Sequence, residues 1–158
     1  MIGYLKHPRT LWGLFILFVL ESLGFGIIIM VWDFTIIDEM SNPEKISAHI
    51  AAMSETQRQV HAWMTATLDV AFPLTYGPLF AGLALQQFRP AFAVPAIAVI
   101  PIDLAEGIVQ VMTLLGDESL LWLKAYVTPL KLVLFLAAIV IGVAALGLGV
   151  RRRRQKRA

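Results

Sequence analysis

The sequence lacks cysteine and contains only three histidines, which lie far apart. The absence of cysteine excludes disulfide bonds, thiol redox chemistry and metal sites with thiolate ligands. His7, His49 and His61 do not form the closely spaced pairs of zinc or haem sites, so we expect neither a metal nor a cofactor. Charged residues are also scarce, at 15% of the chain, which is less than in an ordinary soluble domain.

Long apolar segments take the place of the missing charges. The chain is 58% hydrophobic with a mean hydropathy of +0.75. Four segments approach or exceed the roughly 20 residues that a bilayer-spanning helix needs. They cover about residues 11–32, 61–85, 91–115 and 120–150. The short connections between the last three segments predict an all-α membrane protein, an antiparallel bundle of four transmembrane helices in one domain over residues 1–150.

The connection over residues 33–60 is the longest one, and we expect it to be an external loop with short helices. Asn42-Pro43 is typical of a helix start, because asparagine caps a helix and proline suits its first position. Ser54 and Gln57 have the spacing of a capping box, which predicts that the second membrane helix begins near Ser54.

Basic residues are concentrated at one side of the predicted bundle. Lys6 and Arg9 precede the first span, Arg89 follows the second, and the basic tail of residues 151–158 follows the fourth. The positive-inside rule then places both termini in the cytoplasm, as expected for a bacterial inner-membrane protein, and every loop acid, Asp38 among them, outside. We interpret the tail as a topology signal that contacts anionic lipid, and we expect no nucleic-acid partner.

Six ionisable side chains interrupt the apolar spans. A charge in the hydrocarbon costs about 2.5–3.5 kcal/mol on insertion scales, so isolated charges there are rare. Four acids and two bases distributed over four spans therefore indicate one shared interior site. The six residues are Glu21, Asp69, Asp103, Glu106, Lys124 and Lys131.

Independent helices place these charges at similar depths. At about 1.5 Å per helical residue, Asp69, Asp103 and Lys131 all fall roughly 10–15 Å below the outer interface. Lys124 lies nearer the surface, at the rim of the predicted site, where its long side chain can snorkel. Glu21 lies close to the midplane on the first helix and is the odd member, so it could simply lock the register of that helix.

Polar residues at helical spacing extend the charges into three stripes, which should face one another. The stripes are His61 (at the mouth of the site), Thr65, Asp69 and Tyr76 on the second helix, Asp103, Glu106 and Gln110 on the third, and Lys124, Thr128 and Lys131 on the fourth. Together with Glu21 these are the candidate ligand-binding residues, and Asp69, Asp103, Glu106 and Lys131 are the candidates for catalysis. Two lysines cannot neutralise four carboxylates, so we expect a shared proton, with Asp103 and Glu106 as the favoured pair.

Two motifs resemble those of a group of bacterial four-helix membrane proteins to which no function is assigned. The first is D-x3-P-x2-Y from Asp69, and the second is D-x2-E from Asp103, with a lysine on the last helix. In that group an asparagine often follows the second motif, whereas this chain has Gly107. The resemblance implies the fold and the membrane location only. Sterol-isomerase and sigma-2-receptor-like proteins are similar in architecture alone, since they also place carboxylates in a lipid-accessible cavity.

Three functions fit these observations. The first is a pocket that binds a lipid-like or amphiphilic small molecule, and whether the pocket also performs acid–base chemistry on it stays open. The second is an accessory or assembly subunit of a membrane complex, in which the charges only fix the scaffold. The third is a proton- or ion-coupled transporter, acting as a homodimer. Membrane lipids are partners in all three.

Overall fold

The computed structural model describes residues 2–155, and these residues form helices joined by loops. Lys156 and Arg157 of the predicted tail lie outside the described residues. Four helices are long and apolar enough to cross a membrane, which confirms the all-α class and the four candidate spans. They are Pro8–Trp32, Glu55–Gln87, Pro90–Leu114 and Leu121–Arg152.

The α-helices are numbered in chain order. They are α1 (Ile2–Leu5), α2 (Pro8–Trp32), α3 (Pro43–Ala52), α4 (Glu55–Met64), α5 (Val70–Gln87), α6 (Val94–Leu114) and α7 (Lys124–Gln155). A π-helical segment, Thr65–Asp69, joins α4 to α5, so that the second candidate span is one continuous helix. Helix α7 continues through the first residues of the basic tail, farther than the predicted span.

Helix starts follow the local sequence as predicted. The side chain of Asn42 accepts a hydrogen bond from the backbone nitrogen of Lys45, at 3.0 Å, and Pro43 opens α3. At α4, Ser54 Oγ accepts a hydrogen bond from the backbone nitrogen of Gln57 at 3.2 Å. In return, Gln57 Oε1 accepts a hydrogen bond from the backbone nitrogen of Ser54 at 2.9 Å. The capping box is therefore complete, and the second span begins before the membrane-length stretch predicted from hydropathy.

The central packing unit consists of α5, α6 and α7, which all contact one another, while α2 packs mainly on α5. One end of this unit is built from small side chains, among them Ala84 and Ala96. A Cβ added at Gly77 would lie 2.9 Å from the carbonyl oxygen of Ala96, so α5 and α6 approach closely because this position is glycine. We call this part the small-residue end.

The opposite end, which we call the polar end, is covered by the loop between α2 and α3, residues 33–42. Asp33 turns the chain at the end of α2 with a φ of 47°. Phe34 then stacks on the ring of His61 with the centroids 4.7 Å apart, and Ile37 is fully buried. Ile37 packs with Ile46 and Ile50 of α3, and Met53 lies beside them.

Candidate functional site

Glu106 of α6 is the centre of the polar end and is fully buried. Lys124 Nζ lies 3.0 Å from Glu106 Oε1, and Thr128 Oγ1 donates a hydrogen bond to the same oxygen. Lys131 pairs with the other oxygen, Oε2. These three partners follow one another along α7 by steps of four and three residues, so three side chains on one face of α7 bind the same carboxylate. The predicted convergence of Glu106, Lys124, Thr128 and Lys131 is present.

Lys131 connects Glu106 to two further acids. Its Nζ lies 3.3 Å from Asp103 Oδ1 and 2.9 Å from Asp38 Oδ2. Asp103 accepts a second hydrogen bond, from the hydroxyl of Tyr76, at 2.6 Å. One ammonium group thus holds three carboxylates that come from α6 and from the loop between α2 and α3.

Lys124 does not snorkel to the surface, and this prediction was wrong. Its side chain is fully buried, and Nζ donates to the carbonyl oxygen of Ile37 and to Gln110 Oε1, both at 2.9 Å. With Glu106 these acceptors satisfy all three hydrogens of the ammonium group. The loop between α2 and α3 covers this end of the bundle, so the ammonium group of Lys124 is shielded and its partners lie inside.

His61 is also fully buried, so it does not stand at the mouth of the site as predicted. Gln110 Nε2 donates to Thr65 Oγ1 at 3.0 Å and lies 3.4 Å from His61 Nε2. The imidazole ring is covered by Phe34. His61, Thr65 and Gln110 therefore extend the buried network toward α4.

Asp38 is the ion-paired acid of the site that sequence reasoning missed. It lies in a loop, and the helical spacing that aligned the other charges gives no information about a loop residue. Its position directly after Ile36-Ile37 is a weak signal, because an apolar pair in a charged loop indicates that this part of the loop turns inward. Its ion pair with Lys131 places it at the site.

Asp69 has a different environment from the other acids. It is 9% exposed, and within residues 2–155 its carboxylate has no hydrogen-bond or ion-pair partner. Asp69 Oδ2 would lie 3.9 Å from a Cβ added at Gly107, so the carboxylate faces the backbone of α6. Asp69 ends the π-helical segment, and Pro73 four residues later cannot bond its carbonyl and clashes with it in a regular α-helix. Single π turns of this kind are frequent at functional sites.

A cavity of about 220 Å³ lies beside Asp69. The polar residues that line it are Asp38, Glu39, Thr65, Asp69, Tyr76, Asp103, Gln110 and Lys131. The apolar lining residues are Phe25, Ile29, Ile36, Met64, Phe72, Leu132 and Phe135. Six of the predicted ligand-binding residues therefore line one cavity, whereas Glu106, Lys124, Thr128 and His61 are not among its lining residues and belong to the buried network beside it.

Glu21 is separate from this network. Its Oε1 accepts a hydrogen bond from Thr75 Oγ1 at 3.0 Å, and the bond ties α2 to α5. Within the described residues it neither pairs with a lysine nor lines the cavity. Glu21 was counted among the candidate ligand-binding residues, and the structure gives it only the alternative role, the contact that fixes α2 on the bundle.

The described residues contain no group of three or more acidic or histidine side chains arranged to hold a metal ion. Comparisons with protein-family models, with curated proteins and with solved structures find no match for this chain. The cavity and the network that supports it are thus the observations from which a function can be argued.

Proposed function

We propose that this protein is a small multi-pass membrane protein whose cavity binds a lipid-like or amphiphilic small molecule. The observation that supports this most strongly is that ionisable and apolar side chains line the same cavity. Ligand sites typically combine apolar walls with a few placed polar groups, and this combination suits a molecule with a polar head and an apolar tail.

A sideways route of entry supports a ligand that is dissolved in the membrane. Phe25 and Ile29 of α2 line one edge of the cavity, and Leu132 and Phe135 of α7 line another. Helix α2 packs on α5, and α7 packs on α5 and α6, with little contact between α2 and α7 themselves. The tail of an amphiphile can pass between these two helices, while the loop of residues 33–42 covers the end of the bundle.

We further propose that the four helices are antiparallel in a bacterial inner membrane, with both termini cytoplasmic and the polar end facing outward. The distribution of lysine and arginine supports this orientation. Because the chain has no native cysteine, single-cysteine variants test it directly. A membrane-impermeant maleimide added to intact cells should label Glu44→Cys and leave Gln155→Cys unlabelled. The reverse labelling pattern would mean that both termini lie outside, opposite to the proposed orientation.

Mass spectrometry of protein purified in maltoside micelles tests the binding function. We expect one amphiphile to co-purify in amounts well above the bulk lipid. Leu132→Trp should fill the cavity from its apolar wall and remove that molecule. The matched control is Leu136→Trp, one turn further along α7 at an exposed position, which should retain it.

Equal amounts of the co-purifying amphiphile in both tryptophan variants would contradict the proposal. The accessory-subunit alternative predicts a different result, a stoichiometric partner protein without an enriched amphiphile. No observation in the structure favours that alternative or the transporter, and both stay predictions from the sequence.

A further inference from the structure

The cavity wall contains more acidic than basic side chains. Four of its lining residues are acids, Asp38, Glu39, Asp69 and Asp103, and Lys131 is the lining base. Lys131 is already committed, since its ammonium group holds Asp38, Asp103 and the buried Glu106. A ligand that enters this cavity therefore meets an excess of acidic side chains, and the lining lysine is already paired with three carboxylates.

Asp69 is the buried lining acid that has no partner within the described residues. Its side chain is nine-tenths buried, lines the cavity and has neither a hydrogen bond nor an ion pair in residues 2–155. Burying an ionised carboxylate is costly unless it is paired. Asp103 in the same wall is paired in this way, because Tyr76 and Lys131 both bind its carboxylate. The lone carboxylate of Asp69 points to a partner that arrives with the ligand.

Aromatic side chains surround the same space. Phe72 and Tyr76 lie with ring centroids 5.2 Å apart, and Tyr76 and Phe135 with centroids 4.8 Å apart, and all three line the cavity with Phe25. Aromatic rings attract amine and quaternary ammonium cations, more strongly when water is excluded. An acid among aromatic residues is the usual chemistry of a site for such a cation.

We propose that the ligand carries a positively charged head, an amine or quaternary ammonium group, that forms an ion pair with Asp69. The inference rests on the proposed function and specifies its ligand class. A cavity of about 150 Å³ holds benzene, so the 220 Å³ found here admits the head and the first carbons of a tail. The rest of the tail leaves between α2 and α7. A phosphate-bearing head is disfavoured, because its negative charge would meet the carboxylates.

Binding of probes with the same twelve-carbon tail tests this proposal. The probes are dodecyltrimethylammonium, the net-neutral dodecyldimethylamine oxide, dodecylphosphocholine and the anion dodecanoate. Each is measured by equilibrium dialysis at concentrations below its micelle-forming range, against protein in maltoside micelles. Binding to the Leu132→Trp variant is subtracted as partition into micelles. We expect the cation to bind at least about tenfold tighter than each of the other three, as expected for a desolvated ion pair.

Asp69→Asn should weaken binding of dodecyltrimethylammonium by at least about tenfold, because it removes the buried charge and keeps the side-chain shape. Asp117→Asn is the matched control, with the same change at an exposed acid outside the spans. Hydrogen bonds from Ser119 hold the pKa of Asp117 below its usual range, so this control also removes a full charge. Its affinity should equal that of the wild type.

The outcomes separate the two proposals. If all four probes bind alike, or if Asp69→Asn keeps its affinity for the cation, the head assignment is wrong while the amphiphile site stands. Tightest binding of the phosphocholine would also overturn it and would assign a phospholipid head. If none of the probes binds wild-type protein above the Leu132→Trp background, the cation proposal fails, and the purification experiment decides the proposed function separately. The probe series on wild-type protein tests the proposal even if Asp69→Asn does not fold.

Discussion

The two ends of the helix bundle are built on opposite principles. At the small-residue end, buried alanines such as Ala84 and Ala96 bring the helices close together. At the polar end, Glu106, Lys124 and Lys131 are buried at the same helix interface, and a cavity remains beside them. Close packing fixes the helices at one end, and charge pairing fixes them at the other while leaving space.

This difference indicates which end of the bundle has room for a ligand. A close-packed interface of small residues has no room for a ligand and tolerates no added volume. In a network of ion pairs, the long charged side chains keep the helices farther apart. Such a network can also leave one ionisable side chain without a partner. The following variants test this division, in order of decreasing effect on the free energy of unfolding.

Glu106→Gln should have the largest effect. The change leaves Lys124 buried without a carboxylate and takes one of three acids from Lys131. Breaking a buried ion pair by removing one partner costs about 3–5 kcal/mol, because the other charge is left uncompensated. Reversible unfolding in mixed detergent micelles, followed by circular dichroism, measures this loss.

Glu39→Gln is the control for that experiment, since Glu39 also lines the cavity but is exposed. Its effect should stay within about 0.5 kcal/mol, as for other surface substitutions. Similar losses for the two variants would mean that the buried network does not hold the polar end together.

Gly77→Ala should have the second largest effect. The added methyl group would lie 2.5 Å from Ile100 and 2.9 Å from the backbone oxygen of Ala96, which cannot move without shifting α6. Overpacking of this kind costs about 1–3 kcal/mol. Gly147→Ala on α7 has no atom within 4 Å and serves as the control, which should be neutral or slightly stabilising. Equal stability of the two variants would contradict close packing at this end.

Asp69→Asn should have the smallest effect, and of the opposite sign. No ion pair is lost when this unpaired buried acid becomes a neutral amide, so the free energy of unfolding should stay the same or rise by up to about 1 kcal/mol. The measurement is the same unfolding titration without added ligand. A loss as large as that of Glu106→Gln would show that Asp69 belongs to the structural network, and it would remove the contrast between a supporting acid and a ligand-binding acid.

Most of the fold and much of the site could be predicted from the sequence, because both depend on helical periodicity. Length and hydropathy identify the four spans, and steps of three and four residues align Lys124, Thr128 and Lys131 on the face that holds Glu106. Intramembrane charges that follow such spacing must face inward, since lipid cannot solvate them. The predicted depths depend on the same rise per residue.

Most of the errors concern the loop between α2 and α3, while Glu21 was assigned to the site and instead bonds Thr75. Periodicity does not describe a loop, so neither the contact of Asp38 with Lys131 nor the cover that buries Lys124 and His61 was foreseen. The division of the acids into paired and unpaired ones was equally hidden. Asp69 and Asp103 have the same predicted depth. Asp103 nevertheless contacts a lysine and a tyrosine, whereas Asp69 has no partner within the described residues, and this difference depends on the π turn that ends at Asp69.

The weak contact between α2 and α7 has a consequence for how binding should be measured. A molecule that enters between these helices comes from the lipid, so occupancy depends on its mole fraction in the bilayer and not on its concentration in water. Two amphiphiles with identical heads and different chain lengths would then differ in apparent aqueous affinity by their partition coefficients alone. Expressed per mole of lipid, their affinities would converge, and the remaining difference would measure the cavity itself.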